Sequence, residues 1–434
     1  MANRQILTIA WPVALSSLSQ TLLVNVDFMM VGWVGTEALA AVGQAGTFMH
    51  LFLIVCQSLG FGLSTALAMH LGANRRDAAG RMVAHGLLFG LLLGSVLAVG
   101  CRALLAPAFA AMDLTPEVRA LTLEYGAVFA WTLPLAGVSG MANAAFGAYA
   151  RTRPVLVASL ILAAVNLIGD WALIFGKFGL PALGVRGAAW ASVLASAAAL
   201  AYQLAALLWM RRELQLTVPR RPAVFAQTVR TVLRLGVSTT IEWSFWIVGL
   251  YALTWLLAPA GAVHLAVFHA QMKVQSFFML GVRGLTTANN AMIGRAHGGG
   301  KPARVGLWHA HNLRLGVLSL IPGLLLVLTP EWVFALFNLS ATELDAVGGA
   351  RLVGAVALWV LVARLVNTVT GSSLRSVGVV RWFFGLQAAA LLLTVFAGWG
   401  LTRAVLWGAV GAMLATAADE TFRAVGNTWR FGRE

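Results

Sequence analysis

Long apolar runs separated by short polar or basic connectors recur along the whole chain. Twelve are discernible, at approximately 6–31, 44–70, 81–105, 119–147, 155–176, 186–210, 227–257, 264–292, 305–329, 346–373, 381–400 and 404–427. About 20 predominantly apolar helical residues cross a hydrocarbon core. The pattern therefore predicts an all-α polytopic membrane protein with twelve transmembrane helices. A membrane β-barrel would show short alternating segments instead.

A basic stretch from Met210 to Arg234, containing Pro219 and Pro222, interrupts the pattern near its middle. It divides the chain into an N-terminal six-helix lobe (1–210), a cytoplasmic linker with the start of the seventh helix (211–234), and a C-terminal six-helix lobe (235–434). The halves echo each other. GLSTALAMHLGANRR at 62–76 parallels GLTTANNAMIGRAHG at 284–298, and FGAYARTRP from 146 more weakly parallels LRSVGVVRW from 374. Six helices per half give both copies the same orientation, predicting two pseudo-symmetric six-helix bundles. Transporters built this way bind substrate between the halves and alternate access by rocking.

Composition supports this architecture: 60% of the 434 residues are hydrophobic and 10% are charged, against about 25% charged in soluble domains. The net charge of +15 would suggest nucleic acid in a soluble chain, but its placement points elsewhere. With the N-terminus inside, the inner loops hold Arg75, Arg76, Arg81, Arg151, Arg153, Arg211, Arg212, Arg220, Arg221, Arg230, Arg234, Arg295, Lys301, Arg304, Arg375 and Arg381. The outer loops hold chiefly Arg102, Arg119, Lys177, Arg186, Arg351 and Arg403. This asymmetry is the positive-inside signal. It predicts a multi-pass inner (cytoplasmic) membrane protein with both termini cytoplasmic, in contact with lipid and not with nucleic acid. The first run is too long for a signal peptide and lacks a cleavage pattern before its acid, so the first helix is expected to be retained. Cys56 and Cys101 have no metal-like spacing and read as packing residues. No Walker loop, GxSxG elbow or HExxH motif occurs, so the expectation is not an enzyme, with no cofactor, driven by a gradient of H+ or Na+.

Two carboxylates interrupt the apolar runs. Asp27 and Asp170 are expected at nearly the same depth, a turn or two from the outer end of the first and fifth helices. An intramembrane acid costs roughly 2.5 to 3.5 kcal/mol on insertion scales and is a functional-site candidate by default. Gln20 lies seven residues before Asp27, hence on one face, with Ser16 nearby and Pro12 below. A helix-interior proline removes a backbone hydrogen bond and makes Pro12 a candidate hinge or a static kink. Asn166 and Asp170 stack four residues apart. Their oxygens could coordinate a hard cation such as sodium, share a proton with Asp27, or simply satisfy each other. Asn143 is a candidate further amide.

The stretches IAWPVALSSLSQTLLVNVDFMMVGWVGTEALAAVG (9–43) and NLIGDWALIFGKFGLPALGVRGAAWASV (166–193) resemble signature regions of the multidrug and toxic compound extrusion (MATE) family, most closely its prokaryotic DinF-like branch. The resemblance spans essentially the whole chain. It implies a proton- or sodium-coupled antiporter with an acid cluster in the N-terminal half. The motif positions map onto Asp27, Asn166 and Asp170, with Asn143, Gln20 and Tyr125 in the surrounding network and Pro12 as hinge. A sixth-helix hydroxyl is expected in a cation site. Ser192 is the candidate, and Ala188 in that position would disfavour sodium. This departure favours the proton, with sodium at Asp27, Asn166 and Asp170 as the alternative.

Other polar residues also fall within spans. Glu242, in a segment resembling the family's Gly-x-Pro entry but with Ser238 for the proline, reads either as a cavity residue or as a solvated or paired one near the inner mouth. Asp419 and Glu420 are expected to meet Arg423. Lys273, Arg283 and Arg364 would give the second half a cationic character or pair structurally. His70 and His269 read as hydrogen-bonded structure. Trp243, Trp246, Phe277 and Phe278 could line a cavity for flat or cationic molecules. The expected function is antiport of small cationic or amphipathic organic compounds by a monomer. A lipid-linked precursor flippase of the same wider superfamily is the alternative, with a receptor or channel the third reading.

Overall fold

The computed structural model describes residues 2–110, 112, 114–216, 222–336, 339–404 and 407–433; Pro219, Arg220 and Arg221 of the expected linker lie outside them. The described residues are helical with short connectors and contain no strand. The main helices are α1 (Ala2–Gly32), α2 (Thr36–Gly72), α3 (Arg76–Ala110), α4 (Pro116–Phe129), α5 (Thr132–Ala148), α6 (Arg153–Phe175) and α7 (Gly184–Trp209). They continue with α8 (Pro222–Leu257), α9 (Ala262–Phe278), α10 (Leu280–Gly298), α11 (Pro302–Ser319), α12 (Ala350–Ser376), α13 (Arg381–Trp399) and α14 (Gly408–Phe431).

Eight described helices are individually long and apolar enough to cross a membrane, and two bent pairs raise the number to ten. One pair is α4 with α5, bent by 44°. Pro134 has no N–H to offer the Ala130 carbonyl, which Leu133 takes in a tighter turn at 3.1 Å. The other is α11 with the helical segment to Leu328, bent by 43° around Pro322. The remaining two expected spans, α9 with α10 across a turn at Met279 and α14, are helical but carry polar and charged side chains that lower their hydropathy. The chain is thus a twelve-span, all-α membrane protein whose two most polar spans lie in its second half.

The chain folds as two compact units, Leu15–Val237 and Met1–Ala14 with Ser238–Glu434. These limits differ from the expected division at 210 and 235. The start of α1 belongs with the second half because Ile6, Ile9 and Ala10 are buried and Gly284 admits the Ala10 carbonyl, which a Cβ would approach to 2.2 Å. Conversely, the start of α8 packs in the first-half unit, where a Cβ on Gly62 would lie 2.4 Å from the Val232 carbonyl. Both α1 and α8 therefore pass from one unit to the other.

The weaker sequence echo corresponds to a real structural repeat. Ala150 and Gly378 each adopt a left-handed conformation, φ 58° and 84°, three residues before Arg153 and Arg381 open the next helix. The following amides bond back alike, Arg151 N to Phe146 O at 2.8 Å and Val379 N to Leu374 O at 3.0 Å.

Candidate functional site

Within the first-half unit, α6 and α7 approach closely because small residues face each other. A Cβ on Gly169 would lie 3.0 Å from Ala191 Cβ, and one on Gly187 would lie 2.4 Å from the Leu173 carbonyl. This brings Ser192 on α7 to the level of Asp170 on α6. Asp170 is 1% exposed, and neither of its carboxylate oxygens has a hydrogen-bond partner among the described residues. Asp27 of α1 lies beside it, the two carboxyl groups within hydrogen-bonding reach of each other. A bond between two carboxyl groups needs a proton, because ionised carboxylates only accept.

Asn166, one turn before Asp170 and equally buried, reaches across to α1. Its amide orientation follows from its neighbours: Nδ2 donates to the two Asp27 carboxylate oxygens at 2.8 and 3.0 Å. The amide thus presents its nitrogen, not its oxygen, to the acid. Tyr125 of α4 is buried next to both carboxylates and beside Ser192, its ring stacked on Phe129 at 5.3 Å. Asp27, Asn166, Asp170, Tyr125 and Ser192 therefore form one cluster contributed by α1, α4, α6 and α7. Ala188, the rival for the hydroxyl position, is buried in the apolar core around Tyr125.

Asn143 does not join this cluster. Its amide oxygen accepts from Gln203 Nε2 at 2.9 Å, and Gln203 lies eleven residues beyond Ser192 on α7, or about 16 Å along the helix. Gln203 was not singled out by sequence reasoning, although a glutamine within an apolar run was the available signal. Gln20 is exposed on α1, about two turns from Asp27. Pro12 sits inside an uninterrupted helix, two residues before α1 passes between units.

The second-half unit has its own buried polar network, centred on α14. Arg423 pairs with Asp419 and, at 3.5 Å, with Glu420, as expected. Glu420 also accepts from Asn367 of α12 at 2.8 Å and faces Arg364 at 3.8 Å. Arg364 donates to Gln275 at 3.1 Å and lies over the Trp246 ring at 4.9 Å, so it is not a free cationic ligand. Glu242 pairs with Arg375. Arg375, expected in an inner loop, is instead buried at the end of α12. Lys273 and Arg283 are exposed.

A family model described as MatE matches residues 12–172 and 241–399. The chain belongs to the MatE family. It resembles the "Probable multidrug resistance protein NorM" of Mesorhizobium japonicum, with 25% identity over 418 residues covering 93% of the chain and 86% of the relative. The NorM of Brucella suis biovar 1 is 25% identical over 453 residues, covering 98% of the chain and 92% of the relative. Among solved structures, an outward-facing multidrug resistance MATE family transporter of the MOP superfamily superposes with a TM-score of 0.88 at 20% identity, covering 100% of the chain and 96% of that structure. A MATE transporter in the straight conformation gives 0.88 at 19% identity, with the same coverage. Like other MATE proteins, the chain is a multi-pass membrane transporter of the multidrug efflux type and not an enzyme.

Proposed function

We propose that this MATE transporter is a proton-coupled antiporter that exports small cationic or amphipathic organic compounds by alternating access, and that Asp27 and Asp170 carry its coupling proton. The supporting observation is the Asp170 carboxylate, buried and without a donor, beside an Asp27 already held by Asn166. One proton placed between the two acids supplies the missing donor. Sodium is the less favoured ion because one of its expected ligands is engaged otherwise: the Asn166 amide turns its nitrogen to Asp27.

In this reading the deprotonated pair takes up a proton from outside. Losing the repulsion lets α1 rearrange at Pro12, which disfavours bound substrate, and release of the proton inside resets the carrier. One charge crossing 100 mV contributes about 2.3 kcal/mol, a concentration ratio of roughly fifty. Positive residues between spans favour the inner membrane with both termini cytoplasmic. Two lobes in one chain favour a functional monomer, and the signature stretches favour the DinF-like branch. Of Arg283 and Arg364, the residues a flippase would use for pyrophosphate, Arg364 is committed to Glu420 and Gln275, and the first-half acid pair argues against the same reading.

The test is dye efflux in everted vesicles driven by a proton or a sodium gradient alone. The expected result is proton-driven efflux abolished by Asp27→Asn and by Asp170→Asn. Normal transport by both variants, or efflux driven by sodium alone, would overturn the assignment.

A further inference from the structure

The connector between α2 and α3 forms a concavity of about 470 Å³ lined by Asn74, Arg75, Arg76, Asp77, Arg81 and Gln215. Three guanidinium groups against one carboxylate leave it with two net positive charges. Its backbone is held from two sides. Asn74 closes α2 in a left-handed turn, φ 58°, with Arg75 N bonded to His70 O at 2.9 Å. The segment after α7 closes the other side. Leu214 is buried, its carbonyl accepts from the Tyr149 hydroxyl at 3.1 Å, and Gln215 packs so tightly on Gly80 that a Cβ there would lie 2.0 Å from the Gln215 carbonyl.

The second half has a matching connector without that cover. Gly300, φ 64°, closes the turn after α10, and Lys301 and Arg304 follow. A Cβ on Gly306, six residues beyond Gly300 as Gly80 is six beyond Asn74, would meet no atom within 4 Å. The wall that Gln215 adds on Gly80 thus comes from the segment after α7 and not from the repeat itself.

Trp209, 88% exposed at the end of α7 and immediately before the closing segment, is of the residue type enriched at headgroup level, where lipid phosphates lie. Arginine forks match phosphate oxygens in bidentate geometry, and the first amides of α3 adjoin the same space.

We propose that this pocket binds the phosphate headgroup of an anionic phospholipid. The site is independent of which ion drives transport. Native mass spectrometry of the full-length protein in detergent, titrated with phosphatidylglycerol, phosphatidylcholine or inorganic phosphate, tests it. Arg75→Gln/Arg81→Gln is compared with Lys301→Gln/Arg304→Gln, which removes the same charge from the uncovered connector. The expected result is preferential phosphatidylglycerol binding, weakened about 25-fold in the first variant and little in the second. That corresponds to about 1 kcal/mol per basic residue near an anionic lipid. Equal weakening in both variants would reduce the effect to general surface charge, and unchanged binding in the first would remove the site. Displacement of lipid by millimolar inorganic phosphate would overturn the lipid assignment.

Discussion

Asn166 on α6 donates its amide nitrogen to both carboxylate oxygens of Asp27 on α1, at 2.8 and 3.0 Å. Charge-assisted bonds of this kind are worth about 1.5 to 3 kcal/mol, and this one ties the two helices that carry the acid pair. Asn166→Ala should lower proton-driven efflux by at least about tenfold while leaving expression intact. Asn166→Asp, which adds a third acid without a donor, should lose transport completely. Both are read in the vesicle dye assay.

Gly169 sets how closely α7, which carries Ser192, approaches α6. A Cβ there would lie 3.0 Å from Ala191 Cβ, a contact that a few tenths of an ångström of movement relieves. Gly169→Ala should therefore retain most activity. Gly169→Val, whose extra methyl groups force α6 and α7 apart at a cost of about 1 to 3 kcal/mol, should be folded but transport-deficient. Size-exclusion profiles alongside efflux separate the two outcomes.

Arg423 compensates two buried acids at once, Asp419 and Glu420. Arg423→Gln should cost about 3 to 5 kcal/mol, because it strands buried charge. The pair Arg151–Glu213, 2.6 Å apart but with side chains 56% and 48% exposed, should matter far less. Arg151→Gln is expected to cost below about 1 kcal/mol. Thermal unfolding of the two purified variants in one detergent checks the contrast.

Ala150 occupies a left-handed conformation at φ 58° that its repeat partner Gly378 fills without a side chain. A Cβ in that region costs about 1 to 2 kcal/mol. Ala150→Gly should accordingly raise the melting temperature, and Gly378→Ala should lower it, with efflux unchanged in the former.

Much of this protein was legible along the chain. Apolar run lengths set the span number, because crossing a bilayer demands a minimum of helical residues. The cost of an intramembrane acid singled out Asp27 and Asp170, and the i, i+4 rule placed Asn166 on the face of Asp170. The pairing of Asp419 and Glu420 with Arg423 followed from the same helical spacing. Span breaks were harder to read, since Pro134 and Pro322 lie in runs whose hydropathy is continuous.

What separated Asn143 from the cluster and gave it to Gln203 was the packing of α5 on α7, which side-chain type does not encode. The fates of Glu242 and Arg364 were decided in the same way, by partners 133 and 56 residues away in sequence, Arg375 and Glu420. The orientation of the Asn166 amide likewise depended on a neighbour from another helix. Sequence by itself determined which residues must be helical, membrane-embedded and costly to bury, because those properties are local. Only tertiary structure decided which of them satisfy one another, because hydrogen bonds and ion pairs between helices depend on close approach, and that is set by glycines such as Gly169 and Gly284 facing a distant backbone.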